Sequence, residues 1–194
     1  MYSFVRTKNK QLMDELLQLS APYVTELEVL SLRASYISIQ KLLMSLPNLN
    51  TLHLSKGVRN AGMSFELKMF GMSVTDCKSF AHCLTLPTCN LVHLELPENT
   101  IDDDLLQILV SGLVQSDRVQ HLDLSHNKIG AQGCRSLSAY IRQTNSLRTL
   151  NISDNNIRTE GCSYLSIALK QNRSLKEISL RLNRLSDESG KILF

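Results

Sequence analysis

The stretch from Val119 to Leu175 reads VQHLDLSHNKIGAQGCRSLSAYIRQTNS over 119–146 and LRTLNISDNNIRTEGCSYLSIALKQNRS over 147–174, and Leu175 opens a further copy. The second block repeats the first with a period of 28 residues. Apolar residues recur at Val119/Leu147, Leu122/Leu150, Leu124/Ile152, Ile129/Ile157, Leu137/Leu165 and Ile141/Leu169, and Asn127/Asn155 and Gly133/Gly161 keep the same register. On the N-terminal side, LVHLELPENTIDDDLLQILVSGLVQSDR (91–118) keeps the pattern with Asn99 in place and Leu105 where glycine would stand. On the C-terminal side, LKEISLRLNRLSDESGKILF (175–194) has Asn183 in register and Gly190 one residue late.

The shared motif, L-x-x-L-x-L-x-x-N-x-I at this length, is that of a leucine-rich repeat of the strand-plus-helix type. The residue types follow from its physics. L-x-L alternation turns two leucines inward from a short strand and leaves their neighbours on the open face. The asparagine stands where the chain must turn, and its side chain can bond the backbone of its own and the adjacent turn as a ladder. Leu137 and Ile141, four apart, share the helix face that points back at the strand. One such unit cannot bury its apolar side alone, so stacking must supply the partner. The expected fold is α/β: a right-handed solenoid, a horseshoe segment with a parallel sheet on its concave side and helices on its convex side.

Residues 8–20 (KNKQLMDELLQLS) set leucines among charged residues as an amphipathic helix does. Residues 1–26 are therefore expected to form an N-terminal helical cap or packing segment ahead of a repeat domain spanning 27–194. Within that domain, 27–61 reads as irregular and 62–194 as regular. The first repeat starts at Leu27, with Ser35 at the asparagine position and a short helical or irregular return through Leu42, Leu43 and Leu46. Counting back from Leu91 places another repeat at 62–90, with Phe70 in place of the asparagine. That leaves only 49–61 for the unit before it, which must then return by a tight loop through Lys56–Ala61 or interrupt the sheet. Strands are predicted near 27–32, 49–54, 64–68, 91–96, 119–124, 147–152 and 175–180, and helices near 76–85, 104–115, 132–143 and 160–171. Nothing polar closes the final helix, so the C-terminal end reads as truncated or covered by a further segment or partner.

Composition narrows the class. No apolar run reaches transmembrane length, and MYSFVRTKNK has no signal-peptide h-region, so no membrane partner is expected. Five cysteines is an odd number, and the six-residue spacing of Cys77, Cys83 and Cys89 fits neither a CxxC pair nor a zinc knuckle. Cys134 and Cys162 share one repeat position and read as small buried residues in a reducing, cytoplasmic compartment. The sequons at Asn151 and Asn172 are then incidental. Net charge is +3 but unevenly spread. Glu95, Glu98, Asp102, Asp103 and Asp104 lie together, whereas Arg135 to Arg184 holds nine Lys/Arg against three acids. Aromatics at 5% are not interleaved with the basic residues, which speaks against nucleic acid.

The register brings His93 beside His121 and Glu95 beside Asp123, a set that in principle suits zinc. Repeats align such residues for free, however, and no metal is expected. His121, Asp123 and Ser125 alternate along one strand at roughly 6.5–7 Å spacing, too far for backbone placement to dictate a relay. There is no glycine-rich phosphate loop and no HExxH. The reading is a protein without catalytic, cofactor or metal site, a protein–protein interaction scaffold. Its expected partner surface is the concave face, with His93, Glu95, His121, Asp123, His126, Asn151 and Asp154, joined by Arg181 at the C-terminal end.

The 28/29-residue repeats resemble the ribonuclease-inhibitor-like class of leucine-rich repeats. GMSFELKMFGMSVTDCKSF (62–80), DDD (102–104), LDLSHNKIG (122–130) and LRLNRLSDESG (180–190) together resemble the leucine-rich-repeat subunits of the axonemal nexin–dynein regulatory complex, of the t-complex-associated testis-expressed type. That resemblance implies a structural, regulatory subunit in the cytoskeleton of motile cilia and sperm flagella, with other subunits of the complex as its partners. The hydrophobic pattern by itself also fits a cytosolic leucine-rich-repeat regulator, of GTPase-activating or innate-immune-sensor type.

Overall fold

The computed structural model describes residues 15, 17–30, 38–57 and 71–193. Strands and helices alternate as β1 (Glu26–Leu30), α1 (Ile39–Ser45), β2 (Thr51–Ser55), α2 (Val74–Leu84), β3 (His93–Glu95), α3 (Asp103–Leu113), β4 (His121–Asp123), α4 (Ala131–Gln143), β5 (Thr149–Asn151), α5 (Arg158–Gln171), β6 (Glu177–Ser179) and α6 (Asp187–Leu193). The strands form one parallel sheet in chain order, β1-β2-β3-β4-β5-β6, as a leucine-rich-repeat solenoid requires. No helix among the described residues is long and apolar enough to cross a membrane.

Each strand turns one leucine inward, and these stack in register as Leu27, Leu52, Leu94, Leu122 and Leu150, all buried. Full burial of such a side chain is worth about 1.5–3 kcal/mol, which makes this column and the facing Phe80, Leu109, Leu137 and Leu165 the main source of cohesion. The paired segments are shorter than the predicted strands. The chain bends after three residues to send Leu96, Leu124 and Ile152 into the core, each keeping one more bond to the next repeat (Leu96 N–H to Asp123 O, 2.8 Å). The last repeat is less covered: Ile178 and Leu180 are only half-buried where Leu150 and Ile152 are buried.

The asparagine ladder runs behind the strands. Asn127 accepts from the N–H groups of Asn99 and Ile101 (3.0 Å each) and donates to the carbonyls of Leu96, Leu124 and Ser125 (2.9–3.0 Å). Asn99, Asn155 and Asn183 repeat the arrangement toward Leu54, Leu124 and Ile152. The residue before each ladder asparagine is left-handed: Glu98 (φ 57°), His126 (55°), Asp154 (50°) and Leu182 (58°).

One expectation fails. The sheet has no place for a strand between 49–54 and 91–96, because β2 pairs directly with β3, Thr51 with His93 and Leu52 with Leu94. Asn99 reaches back to Leu54 O (2.7 Å) and accepts from Lys56 N–H (2.9 Å), so the ladder also crosses without interruption. Gly71 N–H donates to Lys56 O (3.2 Å) and Met72 N–H to Asn99 O (2.8 Å), so Gly71 stands beside the residue that follows β2. Thr51–Ser55 and Val74–Leu84 therefore serve as the strand and helix of one repeat among the described residues. The predicted strand at 64–68, Phe70 and Ser35 lie outside the described residues. Gly71 (φ +85°) must be glycine, since a Cβ there would run into Thr100 Oγ1.

The predicted N-terminal helix is described only at its end, where residues 17–20 are helical, Leu17 is buried and Leu19 is exposed.

Candidate functional site

The residues between the inward leucines stand on the open face of the sheet, which this fold makes concave. His93 and His121 occupy equivalent positions on β3 and β4, and their rings stack with centroids 4.1 Å apart and planes within 5°. His121 Nδ1 meets Thr149 Oγ1 at 2.7 Å on β5. On the other side of the row, His53 Nδ1 meets Glu95 Oε2 at 2.7 Å. Asp123 accepts from Asn151 Nδ2 (2.8 Å) and from Ser125 N–H (2.7 Å), and Asn151 accepts from Ser153 Oγ (2.7 Å). Burial lowers the basicity of His121, and the neighbouring His93 lowers it further against the opposing pull of Glu95. The imidazole at the centre of the face is thus held toward its neutral form.

The eight residues expected to make the partner surface divide into two groups. His93, Glu95, His121, Asp123 and Asn151 lie on the strands and form the polar row just described. His126, Asp154 and Arg181 lie outside the sheet, on the turns that follow β4, β5 and β6. His126 Nδ1 and Asp154 Oδ2 are 2.7 Å apart, and both side chains are half-exposed. Both residues also hold the left-handed position of the repeat, which Asp and His tolerate better than most. Their identity is thus partly a backbone requirement. Arg181 is exposed, and its carbonyl accepts from Asp154 N–H at 2.8 Å. His53 and Thr149 are part of the row and were missed. Thr149 was legible from the repeat register, but the irregular spacing between Leu49 and Leu91 hid the register of His53.

The polar side chains of the face bind one another. Each carboxylate is bound to a neighbour in the sheet. His121 turns to Thr149, while Asp123 binds the Ser125 backbone and not the histidine, so these three do not form a proton relay. Among the described residues no three His, Cys, Asp or Glu converge as metal ligands. Cys134 and Cys162 are buried and free, and burial pushes the Cys134 thiol up to about 12.

The acidic run 102–104 also acquires a role. Asp102 caps α3 by accepting from Leu105 N–H (3.0 Å), and Asp103 reaches into the next repeat to accept from Gly130 N–H (2.6 Å). Gly130 is the N-cap of α4 and has no side chain to cap it, so Asp103 supplies from the neighbouring repeat a cap for its N-terminus.

Stacked strand–helix units, an inward leucine column and an asparagine ladder define a leucine-rich-repeat solenoid, and a leucine-rich-repeat family model matches residues 119–138, 144–166 and 171–193. Two curated proteins named dynein regulatory complex subunit 5 are similar to this chain. The one from Chlamydomonas reinhardtii is 37% identical over 75 residues, covering 38% of this chain and 19% of that protein. The one from Mus musculus is 35% identical over 80 residues, covering 41% of this chain and 16% of that protein. The chain spans less than a fifth of the length of either relative. Among solved structures, actin-binding site 2 of leiomodin-1 superposes with a TM-score of 0.54 over 86% of this chain and 76% of that one, at 14% identity. Identity at that level speaks for the fold alone.

Proposed function

We propose that this chain is a non-enzymatic interaction scaffold of the nexin–dynein regulatory complex, acting in the axoneme of motile cilia and sperm flagella. The similarity to dynein regulatory complex subunit 5 of two organisms carries the reading. The partners are other proteins of the complex, and the row His93, Glu95, His121, Asp123 and Asn151 is the surface that meets them. Outward side chains of the strands have no core duty, and a leucine-rich repeat leaves them free for this purpose. Charge on such a face contributes more to specificity and on-rate than to affinity, so binding weakens as salt rises. Expression of the tagged chain in ciliated cells tests the assignment: axonemal staining that survives detergent extraction is expected, and diffuse cytosolic signal overturns it. The surface is tested by Glu95→Lys with Asp123→Lys. Loss of co-purification with the complex at unchanged melting temperature is expected, and intact assembly moves the interface off the concave face.

A further inference from the structure

We propose that the rim where helices hand over to strands in the C-terminal repeats is a second docking surface, and that it takes an acidic polypeptide segment. The rim carries Arg118, Arg142, Arg148, Lys170, Arg173 and Lys176. Arg142 and Lys170 are equivalent residues near the ends of α4 and α5, and Arg148 and Lys176 are equivalent residues just ahead of β5 and β6. The repeat thus builds two cation pairs side by side, with neighbouring strands about 4.8 Å apart. Five of the six residues are exposed, and Arg148 is half-buried.

Packing does not call for these charges. The same rim in the earlier repeats, residues 46–50 and 85–92, has no charged residue. Attraction of cations to helix C-termini accounts for Arg142 and Lys170, but it fades within the last turn and does not reach Arg148, Arg173 or Lys176. Three of the arginines do stitch neighbouring repeats, yet they do so through neutral acceptors. Arg118 donates to Asn90 Oδ1 (3.3 Å), Arg142 to Gln171 Oε1 (2.9 Å) and Arg148 to Ser174 O (3.0 Å). None of the six forms an ion pair with a described residue, whereas carboxylates such as Glu95, Asp76 and Asp154 elsewhere find partners. The opposite rim is of mixed sign, with Asp102, Asp103, Asp104 and Glu160 set among Lys128, Arg158 and Arg184. The result is a row of six cations on rigid elements, with Asp117 the one acid within 114–120, 142–148 and 170–176.

The chemistry of the occupant follows from what accompanies the charge. No aromatic lies within 114–120, 142–148 or 170–176, so the rim offers no stacking platform for nucleotide bases. It also presents no exposed Trp, Phe or Leu of the kind with which basic amphipathic surfaces enter a bilayer. Carboxylates spaced along a peptide satisfy the array without either. The surface does not depend on the axonemal assignment.

Fluorescence anisotropy of a labelled glutamate-rich peptide with the full chain tests the proposal. Lys170, Arg173 and Lys176 make no side-chain hydrogen bond or ion pair with a described residue, so K170E/R173E/K176E is expected to fold and to bind at least about tenfold more weakly. The neutral K170Q/R173Q/K176Q variant should fall in between, and it carries the test if the reversed variant misfolds. K78E/K128E/K191E changes net charge equally at exposed sites off the rim and is expected to weaken binding by no more than about twofold. Absence of binding, or equal losses in the two reversed variants, overturns the proposal. Preference for an RNA or DNA duplex or for anionic vesicles over the peptide overturns its assignment to an acidic polypeptide.

Discussion

Asn127→Ala removes the central rung of the ladder, and the structure allows its cost to be worked out group by group. The side chain makes five hydrogen bonds. Two of its acceptors keep another partner when it is gone: Leu124 O is also bound by Asn155 Nδ2, and Ser125 O by Glu98 N–H. The N–H groups of Asn99 and Ile101 and the carbonyl of Leu96 are left without one, and all three residues are buried. An unsatisfied buried group costs about 1–3 kcal/mol, so near the low end of that range the three together cost about 3–5 kcal/mol. That is a large part of the 5–15 kcal/mol typical of a domain. Asn127→Asp is sharper still. It retains an acceptor for the two N–H groups but turns a second carboxylate oxygen toward three carbonyls. It should be worse than alanine at neutral pH and recover in part once acid restores a donor. The exposed neighbour Asn156 is the control, and its replacement by alanine should stay within about 0.5 kcal/mol. Urea denaturation gives the totals, and hydrogen exchange at the Asn99 and Ile101 amides gives the local effect. A loss below about 0.5 kcal/mol in Asn127→Ala, with both amides as protected as before, would refute the argument.

Two further perturbations separate close packing from helix propensity and from charge. Gly112→Ala should destabilise although alanine is the better helix former, because the new Cβ would run into the backbone of Ala81 on α2, whose carbonyl carbon lies 2.7 Å away. Gly190→Ala, with nothing within 4 Å, should instead stabilise by up to about 1 kcal/mol, and thermal melts that rank the two the other way would show the helices are not in contact as described. Lys56 is almost fully buried and bonds Asp76 at 2.6 Å, so Lys56→Met should cost about 3 kcal/mol by leaving the carboxylate uncompensated, and Lys56→Met with Asp76→Asn should recover most of it. Burial pushes the Asp76 carboxyl up, but the bonds from Lys56 and Ser73 outweigh it and the net shift is downward from 3.8. A lowered carboxylate stabilises the fold fully above that value and ceases to as pH falls through the folded one, so Asp76→Asn should flatten the stability curve below about pH 4. An acid limb identical in the two proteins would remove the pair from the pH dependence.

The repeats from Leu91 onward were legible because each of their structural needs has a one-residue signature at a fixed spacing. Leu94, Leu122 and Leu150 must face inward, Asn99, Asn127 and Asn155 must turn the chain, and Gly133 must admit its neighbours. The helices accordingly fall within two residues of their predicted ends. The strand half of the candidate site was legible for the same reason, since a period of 28 puts His93 beside His121 and Asp123 beside Asn151. The rest required contacts that no spacing encodes. His126 and Asp154 share the repeat period with the strand residues, yet they occupy the turn, and only the backbone dihedrals separate the two roles.

The pairing of β2 with β3 shows where sequence and tertiary structure part. A count back from Leu91 places a separate repeat at 62–90, whereas the described residues follow β2 with α2 and pair β2 directly with β3. The hydrogen bond from Gly71 to Lys56 and the pairing of Thr51 with His93 settle it, because strand order depends on which backbones bond and not on how many residues lie between them. The same holds for Gly112, an ordinary glycine in sequence whose place is set by Ala81 on the facing helix. It holds for Asp103, which looks like a surface acid and caps the next repeat, and for Lys56, which looks solvated and is buried against Asp76. The sequence by itself determined the repeat, its inward and outward faces and its ladder, because these obey local periodicity. The order of the first strands, the close approach of α2 and α3 and the pairing of charges belong to the tertiary structure, because each is decided by atoms that meet only after stacking.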